Sequence, residues 1–201
     1  MTEDKNVIEN KSKALNDNDK LNEGIKDDKY YLKLIEVEPT NKEHYKNFGT
    51  YLSDLKRYKQ AEECYLKAMQ LDSNYFNANF ELGNIYRELN KNKEAEIYYL
   101  KAIELKPKES LPYLKLGYIY NISNRIKEAE ESYLKSIELD NTQKGAYNNL
   151  CYLYKDLKKF DEAEKTYLKL IYLDPCKILF RENIHGYWEK QFGGKMFSGR
   201  D

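Results

Sequence analysis

Glu94-Ala-Glu-Ile-Tyr-Tyr-Leu-Lys-Ala102 is one of four near-copies in a chain of 201 residues. The others are Gln60-Ala-Glu-Glu-Cys-Tyr-Leu-Lys-Ala68, Glu128-Ala-Glu-Glu-Ser-Tyr-Leu-Lys-Ser136 and Glu162-Ala-Glu-Lys-Thr-Tyr-Leu-Lys-Leu170. Their alanines (Ala61, Ala95, Ala129, Ala163) step by 34 residues, as do Tyr65, Tyr99, Tyr133 and Tyr167. A second register precedes each line, at Phe48-Gly49, Leu82-Gly83, Leu116-Gly117 and Leu150-Cys151, with the same step. A fixed period of this length marks one supersecondary unit repeated along the chain.

Within each unit, large apolar residues fall at i, i+3, i+4 and i+7, which gives one apolar face per helix and two helices per repeat. The small residues sit where the two helices come closest, because a larger side chain would separate them. Asn90 and Asn124 suit the left-handed turn that ends a helix. Pro107 and Pro175 close second helices, since proline cannot continue one. One such unit cannot bury its own face, so stacked neighbours must supply the core.

These residues make the chain resemble the tetratricopeptide family. The family's first-helix pattern of an aromatic, a Leu-Gly pair and a Tyr stands here as Tyr113, Leu116-Gly117 and Tyr120. Its second-helix pattern stands as Ala95, Tyr99, Ala102 and Pro107. Departures are few: Cys151 replaces a glycine, Ser136 and Leu170 replace an alanine, and Ser73 and Asn141 replace prolines. Leu170 predicts looser packing near the end. The resemblance implies an all-α fold, a right-handed α-solenoid of antiparallel helix pairs.

The expected array covers 26–177, as a half repeat at 26–41 and full repeats at 42–75, 76–109, 110–143 and 144–177. The half repeat rests on Tyr30-Tyr-Leu-Lys-Leu-Ile-Glu-Val-Glu-Pro39, a close copy of 166–175, and predicts a helix over 26–38. Residues 1–25 read as a disordered or weakly helical N-terminal segment. Phe180, Ile184, Tyr187/Trp188 and Phe192 share one helical face, which predicts a capping helix at 178–192 and leaves 193–201 as a tail.

Thirty-four basic residues balance 34 acidic ones. That balance disfavours nucleic acid, whose binders carry a basic footprint, and equally an anionic membrane surface. No apolar run is long enough for a membrane span, and the charged first residues do not read as a secretory leader. Cys64, Cys151 and Cys176 are odd in number and far apart, which fits a reducing compartment. The reading is therefore cytoplasmic or nuclear, and the sequons at Asn10 and Asn121 are chance matches.

No metal, cofactor or catalytic site is predicted. His44 and His185 lack partners at ligand spacing, and Gly193-Gly-Lys195 fails as a phosphate loop because Glu189 and Met196 stand where Gly and Ser/Thr are needed. The pairs Glu62-Glu63 and Glu130-Glu131 read as solvated helix faces.

In the tetratricopeptide family the first helices line a concave groove. Carried over, the groove positions are Lys46, Asn47 and Thr50, then Phe80, Asn84 and Arg87. Leu114, Tyr118 and Asn121 follow, then Asn148, Asn149, Tyr152 and Lys155. Amides of this kind bond an extended backbone, and Phe80, Tyr118 and Tyr152 anchor apolar side chains. The clamp for chaperone C-terminal tails is matched at Lys46 and Asn84 but lacks its paired cations, so such tails are disfavoured. The expectation is a non-catalytic, monomeric scaffold for a partner protein or peptide. The competing expectation is a targeting or regulatory arm of a larger enzyme of the glycosyltransferase kind.

Overall fold

The computed structural model describes residues 27–174. Among them the regular structure is nine α-helices and no strand. In chain order they are α1 (Asp28–Val37), α2 (Lys42–Asp54), α3 (Tyr58–Leu71), α4 (Phe76–Glu88), α5 (Asn92–Leu105), α6 (Ser110–Ile122), α7 (Ile126–Leu139), α8 (Lys144–Asp156) and α9 (Phe160–Leu173). The expected N-terminal segment, capping helix and tail lie outside the described residues.

The chain divides between Lys108 and Glu109 into two compact units. In the first, α2 packs on α3 and α4 on α5; α3 joins the two pairs by packing on α4, and α1 lies against α2. In the second, α6 packs on α7 and α8 on α9, with α7 against α8. First helices also touch their equivalents one repeat on, α2 with α4 and α6 with α8. Each unit is thus a stack of helix pairs, the all-α solenoid that the 34-residue period demands.

Helix α1 begins inside the expected 26–38 segment because Asp27 caps it, its carboxylate accepting the Tyr30 N–H at 3.0 Å. Inside each pair the chain reverses through one residue with positive φ: Lys56 (59°), Asn90 (57°), Asn124 (59°) and Lys158 (59°). Asparagine tolerates this conformation better than other side chains with a Cβ. The two lysines carry no such signal in the sequence.

The glycines mark the closest helix approach. A Cβ on Gly49 would lie 2.9 Å from the Tyr65 ring, on Gly83 2.6 Å from Tyr99, and on Gly117 2.7 Å from Tyr133. Each tyrosine is fully buried there, so its ring fills the space that the missing Cβ leaves. Cys151 replaces the glycine in the fourth pair, where its Sγ reaches the Ala163 carbonyl at 3.6 Å and stays buried. The looser packing expected at Leu170 is absent, since that side chain is only 2% exposed.

Two readings of charged residues are corrected. Glu62 is half-buried and accepts the Tyr86 hydroxyl at 2.5 Å, and Glu130 accepts the Tyr154 hydroxyl at 2.9 Å and Lys159 Nζ at 3.2 Å. One period before Glu62, Asp28 takes both Nη atoms of Arg57 at 2.7 Å. The first acid of each pair therefore ties one helix pair to the next; only Glu63 and Glu131 are exposed faces. His44 likewise has a carboxylate partner, Glu38 Oε2 at 3.0 Å, brought near by the turn before α2.

Candidate functional site: the first-helix faces

The candidate residues divide into two sets of six by unit. Lys46, Asn47 and Thr50 stand on α2, and Phe80, Asn84 and Arg87 on α4, two helices in contact. Tyr118 and Asn121 stand on α6, and Asn148, Asn149, Tyr152 and Lys155 on α8, again in contact. Spacing of three, four or seven residues keeps those on one helix to one face.

In the first unit that face is internally bonded. Thr50 Oγ1 lies 3.1 Å from the Tyr65 hydroxyl and bonds the Lys46 carbonyl at 3.0 Å. One repeat on, the Tyr99 hydroxyl donates to Asn84 Oδ1 at 2.9 Å, while Asn84 Nδ2 donates to Glu81 at 3.1 Å. Lys46 Nζ donates to Asn47 Oδ1 at 2.6 Å. Arg87 pairs with Glu88 at 2.6 Å. Phe80 stacks on Phe76 with centroids 6.0 Å apart and tilts onto Tyr99 at the same distance, so it is half-buried.

The second unit is built differently. Position 118, which corresponds to Thr50 and Asn84, holds an exposed tyrosine. Beneath it the Tyr133 hydroxyl is buried and makes no hydrogen bond of normal length and angle, with the Asn149 amide close enough to act on it only weakly. Burial pushes the Tyr133 phenol up, the Asn149 amide acts against that, and Tyr118 adds to it. Tyr152 is also exposed, with Lys155 Nζ 5.4 Å from its ring centre. Asn121, Asn148 and Asn149 are half-buried. Leu114 is not part of the open face: it is buried, with Cδ2 only 3.0 Å from where a Cβ on Gly145 would stand.

The two faces also differ in charge. Around the candidate residues the first unit places Glu43, Asp54, Glu81 and Glu88 against Lys46 and Arg87, while the second places Lys115 and Lys155 against Asp156. Among the described residues no group of three or more His, Cys, Asp or Glu side chains could hold a metal ion. Cys64 and Cys151 are pushed up to about 11 by burial, so neither is a ready thiolate at neutral pH. No helix among these residues is long and apolar enough to cross a membrane.

Helix pairs of fixed period, glycine-tyrosine interlocks and open first-helix faces define a tetratricopeptide-repeat protein. The chain belongs to the family described as the cilia and flagella-associated protein 70 middle TPR-like domain, whose model matches residues 22–140. Residues 145–175 match the tetratricopeptide repeat model. Among solved structures, a crystal structure of MamA is 25% identical with a TM-score of 0.67, over 75% of this chain and 88% of that one. MamA 41-end from Desulfovibrio magneticus RS-1 is 19% identical, with a TM-score of 0.67 over 74% and 84%. PilF of Pseudomonas aeruginosa is 22% identical, with a TM-score of 0.67 over 78% and 72%. No curated protein sequence matches.

Proposed function

We propose that this chain is a non-catalytic scaffold that binds a segment of a partner protein on its first-helix faces. Tetratricopeptide solenoids use such surfaces for binding, because stacking leaves one side of every repeat uncovered. The observation that carries the reading is the exposure of Tyr118 and Tyr152. Two tyrosines at the same repeat position stay open to solvent where the equivalent first-unit residues are Thr50 and Asn84. Large aromatic side chains on an otherwise polar face are the anchors that protein interfaces favour.

The half-buried amides Asn84, Asn148 and Asn149 add donors and acceptors for an extended backbone. On this reading the chain acts as a monomer in the cytoplasm or nucleus, a location that its widely spaced cysteines support. Affinity capture from lysate followed by mass spectrometry tests it. Wild type is compared with Phe80→Ala/Tyr118→Ala/Tyr152→Ala and with Tyr118→Ala/Tyr152→Ala, all checked for helix content. Specific partners should be lost from both variants; a folded triple variant that keeps every one of them refutes the reading.

A further inference from the structure

We propose that residues 178–190 stack on α9 as the first helix of a further repeat, with the indole N–H of Trp188 donating to the carboxylate of Glu164. The inference concerns how the array is closed and stands apart from where a partner binds.

It starts from the tie between successive helix pairs. The Tyr86 hydroxyl donates to Glu62 and the Tyr154 hydroxyl to Glu130, so a first helix is held to the second helix before it through a half-buried acid. Glu164 is the next acid of this series, 34 residues after Glu130 and half-buried on α9. The residue 34 after Tyr154 is Trp188, the chain's single tryptophan. An indole N–H is a donor with no acceptor role, which suits a carboxylate. At Glu130 a second donor comes from Lys159, but Gly193 stands at that register, so the indole is the donor left for Glu164.

The apolar positions follow the same step. Phe48 and Tyr51 of α2 pack on Tyr31 of the preceding α1, with ring centres 5.4 and 5.0 Å from it. Their copies on α8, Leu150 and Leu153, are buried, and the next copies are Ile184 and Tyr187. Phe180 likewise follows the buried Ala146. The glycine register behaves differently. Gly49, Gly83 and Gly117 let a second helix approach, whereas His185 stands at this place. The segment keeps the residues that stack on the helix before it and loses the one that admits close pairing with a helix after it.

Chain length fits the same arrangement. Asp140 closes α7 and α8 starts at Lys144; Asp174 closes α9, so the same turn starts a helix at 178. First helices α2, α4, α6 and α8 are each 13 residues long, which gives 178–190. Among the described residues the helix packed closely on α9 is α8, and the end of a solenoid needs a cover. Alone, a helix this short that contains Gly186 is marginal in water, so stacking is what holds it.

The single indole N–H tests this by nuclear magnetic resonance on the full, isotope-labelled chain. Its proton should exchange with solvent at least about tenfold more slowly than in the urea-unfolded chain, at every protein concentration tried. Glu164→Gln should move the indole resonance and speed its exchange severalfold, because a charge-assisted bond becomes a neutral one. Glu162→Gln, at an exposed acid of the same helix, should leave both unchanged. Ile184→Ser/Tyr187→Ser should return the exchange to the unfolded rate while the array keeps its helix content. An indole that exchanges in the wild type as in the unfolded chain overturns the inference. So does slow exchange that Glu164→Gln leaves untouched, which would put the segment elsewhere, or protection that fades on dilution, which would assign the contact to a second copy. None of these outcomes bears on Tyr118 and Tyr152, so the proposed binding face is judged separately.

Discussion

The hydroxyl of Tyr154 donates to Oε1 of Glu130 at 2.9 Å, and Lys159 holds the other carboxylate oxygen at 3.2 Å. The pair joins α8 to α7 and recurs in the first unit as Tyr86 and Glu62. Tyr154→Phe should therefore cost about 1–2 kcal/mol, because a half-buried carboxylate loses one of two partners. A double-mutant cycle with Glu130→Gln in urea unfolding should return a coupling of roughly 0.5–1.5 kcal/mol. Zero coupling would mean that the contact adds no stability.

Gly83→Ala places a methyl group where the Tyr99 ring stands, 2.6 Å away. Neither the α4 backbone nor a fully buried ring can move cheaply, so a loss of about 1–3 kcal/mol is expected despite alanine's better helix propensity. Gly145→Ala meets side-chain ends alone, Leu114 Cδ2 at 3.0 Å and Gln143 Oε1 at 3.5 Å, and should be close to neutral. Equal melting temperatures for the two variants would contradict the interlock.

Tyr99→Phe and Tyr133→Phe make the same chemical change in consecutive repeats with opposite expectations. The first deletes a bond to Asn84 and should cost about 1 kcal/mol. The second deletes a hydroxyl that makes no hydrogen bond of normal geometry and feels the Asn149 amide only weakly, so stability should hold or rise. Calorimetry on the two variants reads the difference directly.

Lys158 carries a φ of 59° in the turn between α8 and α9. Lys158→Gly removes the clash of a Cβ in this conformation and should raise stability by roughly 0.5–1 kcal/mol, net of glycine's added freedom when unfolded. The same change at exposed Lys67 inside α3 should lower it by about 1 kcal/mol. A destabilised Lys158→Gly would show that the turn gains from its side chain.

Alkaline pH should unfold the protein. Burial pushes the phenols of Tyr65, Tyr86, Tyr99, Tyr133 and Tyr154 upward. Unfolded tyrosines lose their protons near about pH 10, so above that pH the unfolded state binds fewer protons and stability falls as pH rises. Circular dichroism should lose its helix signal above about pH 10, with a cooperative step in phenolate absorbance on top of the gradual ionisation of the exposed tyrosines. Helix content that stays intact while the absorbance reaches the value for all 20 tyrosines would show that these hydroxyls are open to solvent. At the acid end the hydrogen bonds from Arg57 to Asp28 and Lys42 to Asp72 hold both carboxyls low. Their contribution is present above about pH 4 and fades below it.

Most of the fold was legible because its cause is local and repeated. The 34-residue step of Ala61, Tyr65 and their copies names which residues touch, and the glycines name where helices meet. The roles of Glu62 and Glu130 were hidden for a physical reason. An acid beside lysines on a helix looks solvated until the next helix pair sets a tyrosine hydroxyl against it. Yet the acids Asp28, Glu62, Glu96, Glu130 and Glu164 themselves recur at the period, a signal that was present in the sequence. Lys56 and Lys158 were missed because nothing in a lysine marks positive φ; the turn's length imposed it.

The candidate faces were legible only as positions. Their spacing places Thr50, Asn84, Tyr118 and Tyr152 at one repeat site, but not which hydroxyls beneath are satisfied. What the sequence by itself determined is the helix pair, its period and the identity of its packing residues, since these follow from side-chain size and helical spacing. What only the tertiary structure decided is which polar groups find partners. Tyr99 meets Asn84, Tyr133 makes no bond of normal geometry, and Glu130 meets Tyr154, because hydrogen bonds depend on ångström-scale placement between helices that no periodicity encodes.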